Sequence, residues 1–193
     1  PGRREHGLAT HMPDDADEDG SDRVIVLAGE SVGLSLMQRE DVPAITRWNQ
    51  DLEFTARMGL PGEAHTLETR QEFYDQNSRI RADSAEFSVI EPGTGRLVGF
   101  GGLFDITRAM VGSLFVGIGE AADRRRGWGT EASRLICEYG FFFRSLHSIK
   151  AEVHEYNVEA RRTYESLGFK TVGRWRGANL LNHRRYDEII MDL

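Results

Sequence analysis

Arg124-Arg125-Arg126-Gly127-Trp128-Gly129-Thr130 joins an apolar, strand-like run, which ends at Ile118, to a long amphipathic helix. The N–H groups in the first turn of a helix lack intrahelical partners, and they carry the positive end of the helix dipole. Gly127 and Gly129 have no Cβ, so the chain can turn sharply there and an anion can approach the backbone. The stretch therefore predicts a strand, a tight turn with a site for phosphate, and a helix.

The helix after this turn has the most regular apolar pattern in the sequence. Its stripe recurs at helical spacing and is expected to pack against a sheet. Cys137 lies beside the stripe and is interpreted as a small packing residue. The members of the stripe are Ala132, Leu135, Ile136, Tyr139, Phe142 and Phe143.

Strand-like and helix-like patterns alternate along the rest of the chain. Runs 86–91 and 96–104 flank Pro92-Gly93-Thr94-Gly95, a turn sequence typical of a hairpin. Helices are predicted from residue 41, over 67–81 and over 158–167, with a polar connection between the first two that ends at about residue 65. These patterns predict an α/β (α+β) fold in one domain: a central, mixed, mostly antiparallel twisted sheet of about six to seven strands, flanked by about four helices.

Composition limits the classes of function. The chain has 193 residues, of which 39% are hydrophobic, and this suits one domain with a sizeable core. The formal net charge of −7 argues against nucleic-acid binding, which needs clustered lysine and arginine. Nucleic acid is therefore not an expected partner. No run approaches the roughly 20 apolar residues of a membrane span, so a membrane is not an expected partner either. The one cysteine, Cys137, cannot form an internal disulfide, which favours the reducing cytoplasm.

The first 22 residues are set apart from the expected domain. The run GLATHM at residues 7–12 is typical of an expression-tag remnant, with Met12 as the expected native start. The acidic residues that follow, up to about residue 22, are expected to form a disordered leader. We expect the folded domain to span residues 23–193.

Two cofactor classes fit a glycine-rich turn in principle. Gly127-Trp128-Gly129-Thr130-Glu131-Ala132 matches the G-x-G-x-x-A pattern of dinucleotide-binding proteins. That pattern expects an acidic residue about 20 positions later at a strand end, whereas the candidate here, Glu155, comes later than that. A nucleoside-triphosphate loop is a weaker match, because the sequence contains no Gly-Lys pair.

A second motif distinguishes these alternatives. The run IKAEVHEYNVEARRTYESLGF at residues 149–169 places Asn157 after a strand, Tyr164 on the following helix and Gly168-Phe169 at its end. Together with Arg124-x-x-Gly127-x-Gly129, it resembles the core of the GNAT acyltransferase family, whose acyl-CoA motif is R/Q-x-x-G-x-G/A. The segments Gly173-Arg174-Trp175-Arg176 and YDEIIM at 186–191 are most similar to the RimJ/RimL type of N-acetyltransferase.

The resemblance implies an acetyl-CoA-dependent N-acetyltransferase that moves an acetyl group to a primary amine by direct attack in a ternary complex. The acceptor would be a protein or peptide N-terminus, or a small amine or antibiotic, and the family also allows a homodimer. The pyrophosphate of CoA would lie on the glycine turn and the pantetheine arm along the preceding strand. The residues expected to bind the cofactor are Phe115, Val116, Gly117, Ile118, Arg124, Arg125, Arg126, Gly127, Trp128, Gly129, Thr130, Asn157 and Tyr164.

Three residues are predicted to act in catalysis, and no metal is expected. Tyr164 is the candidate general acid, because a phenol with a pKa of about 10 is well matched to a leaving thiolate. Asn157 would orient the pantetheine or a water molecule, and it also suits a helix N-cap. Glu120 is the candidate base, with His154 and Asp105 as alternatives.

The same residues also allow functions other than acetyl transfer. Tyr164 and Asn157 could serve only packing and capping, in which case the chain would be a non-catalytic regulatory module that binds acyl-CoA. The G-x-G-x-x-A match leaves a dinucleotide-dependent oxidoreductase as a further alternative.

Overall fold

Within the residues that the computed structural model describes, 23–59, 65–78 and 81–193, eight strands form one sheet. The predicted tag remnant and acidic leader, residues 1–22, lie outside the described residues. The order across the sheet is β1-β2-β3-β4-β5-β6-β8-β7. In chain order the strands are β1 Ile25–Ala28, β2 Gly33–Leu36, β3 Ala85–Glu91, β4 Arg96–Phe104, β5 Val111–Ile118, β6 Ser148–His154, β7 Lys170–Leu181 and β8 Arg184–Asp192.

The described part of the chain contains five α-helices. They are α1 Val42–Asn49, α2 Leu52–Met58, α3 Leu67–Asn77, α4 Trp128–Glu138 and α5 Val158–Ser166. The predicted mixed fold is therefore confirmed, with one strand and one helix more than expected. The additional helix is α2, which replaces part of the predicted polar connection. None of the helices in the described ranges is long and apolar enough to cross a membrane.

The pairing of β5 with β6 positions the functional site. All other neighbouring strands in the sheet pair antiparallel, whereas β5 and β6 run parallel. Their pairing covers only Val111–Ser113 of β5 and Ser148–Lys150 of β6. After these three residues the two strands separate, so the second half of β5 presents an edge that no strand of the described residues pairs with.

Helices cover both faces of the sheet around this opening. On one face, α4 and α5 pack over the main core, and their buried residues include Ala132, Leu135, Ile136 and Tyr164. On the other face, α1 and α2 cover a smaller cluster built on Trp48, Phe54 and Phe100. Strand residues alternate between the two faces. In β5, for example, Val116 packs against the first cluster and Phe115 against the second.

The apolar stripe of α4 ends earlier than the sequence predicts. The prediction that Phe142 and Phe143 continue the stripe is wrong, since these side chains are 71% and 67% exposed. The helix changes at Tyr139–Phe143 into a π-helical turn, in which the Arg144 N–H donates to the Tyr139 carbonyl five residues earlier. This wider turn changes the helical phase, so the last two phenylalanines point away from the sheet.

Candidate functional site

A cavity of about 440 Å³ opens where β5 and β6 separate. It brings together many of the predicted cofactor and catalytic residues, from β5, from the turn before α4 and from α5. Those that line it are Phe115, Val116, Gly117, Ile118, Arg124, Arg125, Gly127, Gly129, Thr130, Asn157 and Tyr164. Three predicted residues, Glu120, Arg126 and Trp128, are not part of its lining.

Several other residues that line the cavity were not among the predicted cofactor-binding or catalytic residues, although the resemblance to acyltransferases implied that the acceptor enters beside residues 48–65, which include Phe54 and Met58. They come mainly from α2, from the second half of β6 and from the first turns of α5, and they include Phe54, Arg57, Met58, Glu152, Val153, Glu159, Ala160 and Thr163. The contribution of α2 had one local signal. Asp51 is an N-cap, whose side chain accepts hydrogen bonds from the N–H groups of Glu53 and Phe54.

The turn before α4 forms an open cradle at one end of the cavity. Gly127 is the N-cap of α4 and has a φ of 84°, and a Cβ at this position would meet nothing within 4 Å. Helix hydrogen bonding begins when the Glu131 N–H donates to the Gly127 carbonyl at 3.0 Å. The N–H groups of the first turn consequently have no intrahelical acceptors, and they fit the pyrophosphate of a CoA molecule.

Arg124 and Arg125 have different roles in this cradle. The Arg124 guanidinium donates to the carbonyls of Ile118 at 3.2 Å and Gly119 at 2.7 Å, so it ties the turn to the end of β5. The Arg125 side chain is 80% exposed, with its Nε 3.4 Å from a carboxylate oxygen of Glu159. Arg125 is therefore a cation that can exchange its carboxylate partner for a phosphate.

Arg126 and Trp128 stabilise the cradle from behind. The Trp128 ring is buried, with the guanidinium of Arg126 at 4.0 Å and that of Arg96 at 5.6 Å from its centroid. Asp123 accepts a hydrogen bond from Arg96 at 2.6 Å, and this bond holds the pKa of its carboxyl below the usual range. These contacts fix the first turn of α4 to the sheet.

Tyr164 lines the cavity and is buried. The centroids of its ring and the Phe169 ring are 5.3 Å apart. The Phe169 N–H donates to the Tyr164 carbonyl, and Gly168 between the helix and Phe169 has a φ of 103°. No protein group in the described ranges donates to or accepts from its hydroxyl. Burial, with a smaller effect of Cys137, raises the pKa of Tyr164 well above its ordinary value. The phenol is therefore protonated and can donate its proton into the cavity.

Asn157 joins α5 to α2 at the rim of the cavity. Its Oδ1 accepts from the Ala160 N–H at 3.2 Å, which confirms the predicted N-cap. Its Nδ2 donates to the Arg57 carbonyl at 2.9 Å. An amide nitrogen has a second N–H, which remains available to a ligand in the cavity.

The three base candidates occupy different environments. The Glu120 carboxylate accepts from Trp48 Nε1 at 2.8 Å and from Arg47 Nη2 at 2.6 Å, and these bonds lower its pKa. This geometry suits a carboxylate that stays charged and holds α1 against the turn. Asp105 is exposed after the end of β4 and does not line the cavity. His154 is buried and lines it.

Comparison with known proteins finds one family model and several relatives that are similar to this chain in sequence. Residues 31–170 match the family model described as acetyltransferase (GNAT) domain. The chain is 28% identical over 143 residues to the probable N-acetyltransferase YjcK of Bacillus subtilis, covering 72% of this chain and 79% of that protein. It is 31% identical over 160 residues to alpha/beta-tubulin-N-acetyltransferase 9 of Mus musculus, covering 76% of this chain and 65% of the mouse protein.

Solved structures share the fold at lower identity. Spermidine N-acetyltransferase from Vibrio cholerae, in complex with CoA and spermine, has a TM-score of 0.79 at 20% identity, over 86% of this chain and 96% of that one. A GNAT-family acetyltransferase from Bacillus anthracis has a TM-score of 0.74 at 20% identity, with the same coverage of both chains.

Proposed function

This chain belongs to the GNAT acetyltransferase family and is an N-acetyltransferase that uses acetyl-CoA, and on this basis we propose that it acetylates a primary amine directly, in a ternary complex. The observation that carries the proposal is that one cavity is lined by the Gly127 cradle, by the second half of β5 and by Tyr164. The cradle suits a pyrophosphate, and Tyr164 is a proton donor.

The chain's own groups can hold an extended cofactor along this path. The first-turn N–H groups of α4 and the Arg125 guanidinium would hold the pyrophosphate by charge-assisted hydrogen bonds. The free edge of β5 offers backbone donors and acceptors to the pantetheine arm, as an open sheet edge does to an added strand. The second N–H of Asn157 would contact the same arm or a bound water molecule.

When bound, acetyl-CoA would supply a thioester. The amine nitrogen would form its bond to the carbonyl carbon and lose one proton to a base, and the C–S bond would break. Tyr164 gives its hydroxyl proton to the leaving sulfur, and water restores that proton later. The same burial that raises the pKa of Tyr164 also raises the basicity of a thiolate beside it, so the transfer remains close to balanced.

The surroundings of the cavity support a cationic acceptor. Phe54, Phe115 and Glu152 line it, and aromatic rings together with a carboxylate favour an ammonium group. The relatives named above are N-acetyltransferases of tubulin and spermidine, whose acceptors carry amines. We therefore propose a peptide or protein N-terminus, or a small primary amine, as the acceptor. We also propose that the reaction takes place in the cytoplasm.

Binding of the cofactor is tested first, by thermal shift and calorimetry with acetyl-CoA, CoA and NADH. We expect both CoA compounds, but not NADH, to stabilise the protein, because only a bound ligand raises the melting temperature. Arg125→Ala should weaken CoA binding about tenfold, or about 1.4 kcal/mol. The matched control is Arg134→Ala, whose exposed side chain pairs with Glu138 on the same helix and does not line the cavity.

Thiol release from acetyl-CoA over a panel of tripeptides, polyamines and aminoglycosides then tests the reaction. Turnover with at least one amine is the expected result. Tight binding of acetyl-CoA without thiol release for any amine would instead favour the non-catalytic acyl-CoA module. Stabilisation by NADH and not by CoA would contradict the cofactor site itself.

A further inference from the structure

His154 approaches the cavity from the face of the sheet opposite to Tyr164. Along β6, Ile149, Ala151 and Val153 are buried in the main core beneath α4 and α5. Because successive strand residues alternate, the His154 side chain projects to the opposite face, where it lies against Gly59 at the end of α2. His154 and Tyr164 both line the cavity, so two proton-carrying groups reach the gap between β5 and β6 from opposite sides.

A carboxylate lies directly across the strand pair from this histidine. Glu188 of β8 is in register with His154, and its Oε1 is 3.7 Å from His154 Nδ1. Nδ1 is buried, and no group in the described ranges accepts a hydrogen bond from it. A small side-chain movement would bring the two groups into hydrogen-bonding distance, and such bonds are often long before ligands bind.

The other edge of the imidazole lies against the end of α2. A Cβ at Gly59 would be 2.0 Å from His154 Nε2, so only glycine at this position leaves the Nε2 edge clear of a side chain. The ring also stacks on Tyr156 at 5.3 Å. The titratable groups that face it are Glu188, Glu152 and Tyr156, and Gly59, the C-cap of α2, packs against its Nε2 edge.

We propose that His154 accepts the proton from the acceptor amine and that Glu188 is its positioning residue. This inference rests on the proposed function above. With the Nδ1–H directed to Glu188, the lone pair is on Nε2. As the amine nitrogen bonds to the acetyl carbon, its excess proton passes to Nε2, and Glu188 stabilises the imidazolium. Tyr164 separately protonates the sulfur, and His154 returns its proton to water before the next turnover.

Two further properties favour His154 over Glu120. Burial lowers the pKa of His154, against the opposing effect of Glu188 and Glu152, so the imidazole is neutral and ready to accept a proton near neutral pH. Glu120 carries two hydrogen bonds that stabilise its charged form, and it does not line the cavity.

The first test compares His154→Gln with the matched control His147→Gln, an exposed histidine outside the cavity. We expect kcat with tripeptide and spermidine acceptors to fall by roughly 100-fold or more in His154→Gln. The Kd for acetyl-CoA, measured by calorimetry, should stay within about threefold of the original value. His147→Gln should match the unmodified protein in both measurements. A kcat in His154→Gln within about threefold of the original would overturn the proposal.

A second test uses Glu188→Gln, which keeps the shape of the side chain and removes its charge. Glu188 raises the pKa of His154, so its loss should lower that pKa and move the acid limb of the kcat–pH profile to lower pH. Acceptors with different amine pKa values identify the limb, because a limb that belongs to the acceptor moves with it. An unmoved enzyme limb would show that Glu188 serves only packing.

NMR of the ring provides a readout independent of turnover. The His154 signals, assigned by their loss in His154→Gln, should titrate below about 6.5, the usual pKa of histidine, and show the Nδ1–H tautomer. An Nε2–H tautomer would overturn the proposal even if the enzyme is active. Absence of acetyl-CoA binding or of thiol release by the unmodified protein would instead contradict the proposed function.

Discussion

Tyr164→Phe separates a catalytic role of this residue from a packing role. The substitution removes one hydroxyl and keeps the ring that packs on Phe169 at 5.3 Å. Since no protein group in the described ranges bonds to this hydroxyl, its removal leaves no protein donor or acceptor unpaired. We therefore expect the free energy of unfolding to change by no more than about 1 kcal/mol.

The expected effect of Tyr164→Phe on turnover is much larger. Proton donation by a positioned acid contributes roughly 10²–10⁴-fold, and each factor of ten corresponds to about 1.4 kcal/mol of barrier. We thus expect kcat to fall by roughly 10²–10⁴-fold, which corresponds to an activation free energy about 3 to 5 kcal/mol higher. The Kd for acetyl-CoA should stay within about threefold, because the substitution does not change the groups that would hold the pyrophosphate, the first-turn N–H groups of α4 and the Arg125 guanidinium.

The assay measures thiol release under saturating acetyl-CoA, with calorimetry for Kd and chemical denaturation for stability. Tyr139→Phe is the matched control, because that tyrosine packs on Phe87 at 4.9 Å and does not line the cavity. If Tyr164→Phe kept its kcat within about threefold, the general-acid role would be refuted and Tyr164 would be a core residue only.

Four further predictions concern the scaffold. Burial raises the pKa of the Cys137 thiol to about 12, so it should react with a disulfide reagent only after unfolding, and fast labelling of the native protein would contradict this. Gly119→Ala should destabilise the fold by at least about 1 to 3 kcal/mol in denaturant titration, because its Cβ would lie 2.0 Å from the Trp48 ring. Gly129→Ala, whose Cβ would meet only Ile118 at 3.6 Å, should instead leave stability unchanged or raise it by up to about 1 kcal/mol. The lowered pKa of Asp123 contributes stability above the ordinary value of about 4, and this stability is lost as pH falls through the folded value. Asp123→Asn should therefore lower the free energy of unfolding by about 1 to 2 kcal/mol at pH 7. It should also weaken the pH dependence of this free energy below about pH 4, and equal acid sensitivity of both proteins would contradict the prediction.

Local features of the chain were predicted correctly. The hairpin at residues 92–95 contains two glycines with positive φ, Gly93 and Gly95, between β3 and β4. Asn157 caps α5, and Gly168 ends it in the left-handed conformation. Each of these features depends on residues within a few positions of one another, so their sequence pattern is sufficient to identify them.

Features that depend on distant contacts were missed. Helix α2 has seven residues, and so short a helix is not stable without tertiary packing. Its packing partner is β5, where a Cβ at Gly117 would lie 2.8 Å from the Met58 sulfur. Glu120 looked like a free carboxylate in the sequence, but Trp48, 72 positions away, donates to it.

The sequence by itself determined the glycine cradle and the capped helix with Tyr164, because these follow from short-range backbone chemistry, and the resemblance of both motifs to known acyltransferases indicated the family. Only the tertiary structure decided which side chains remain free to act. It commits Arg124 to carbonyl groups and Trp128 to the core, and it leaves Arg125 exposed. It also separates β5 from β6 after three paired residues, and this opening, formed between segments more than 30 positions apart, brings Tyr164 and His154 to one cavity.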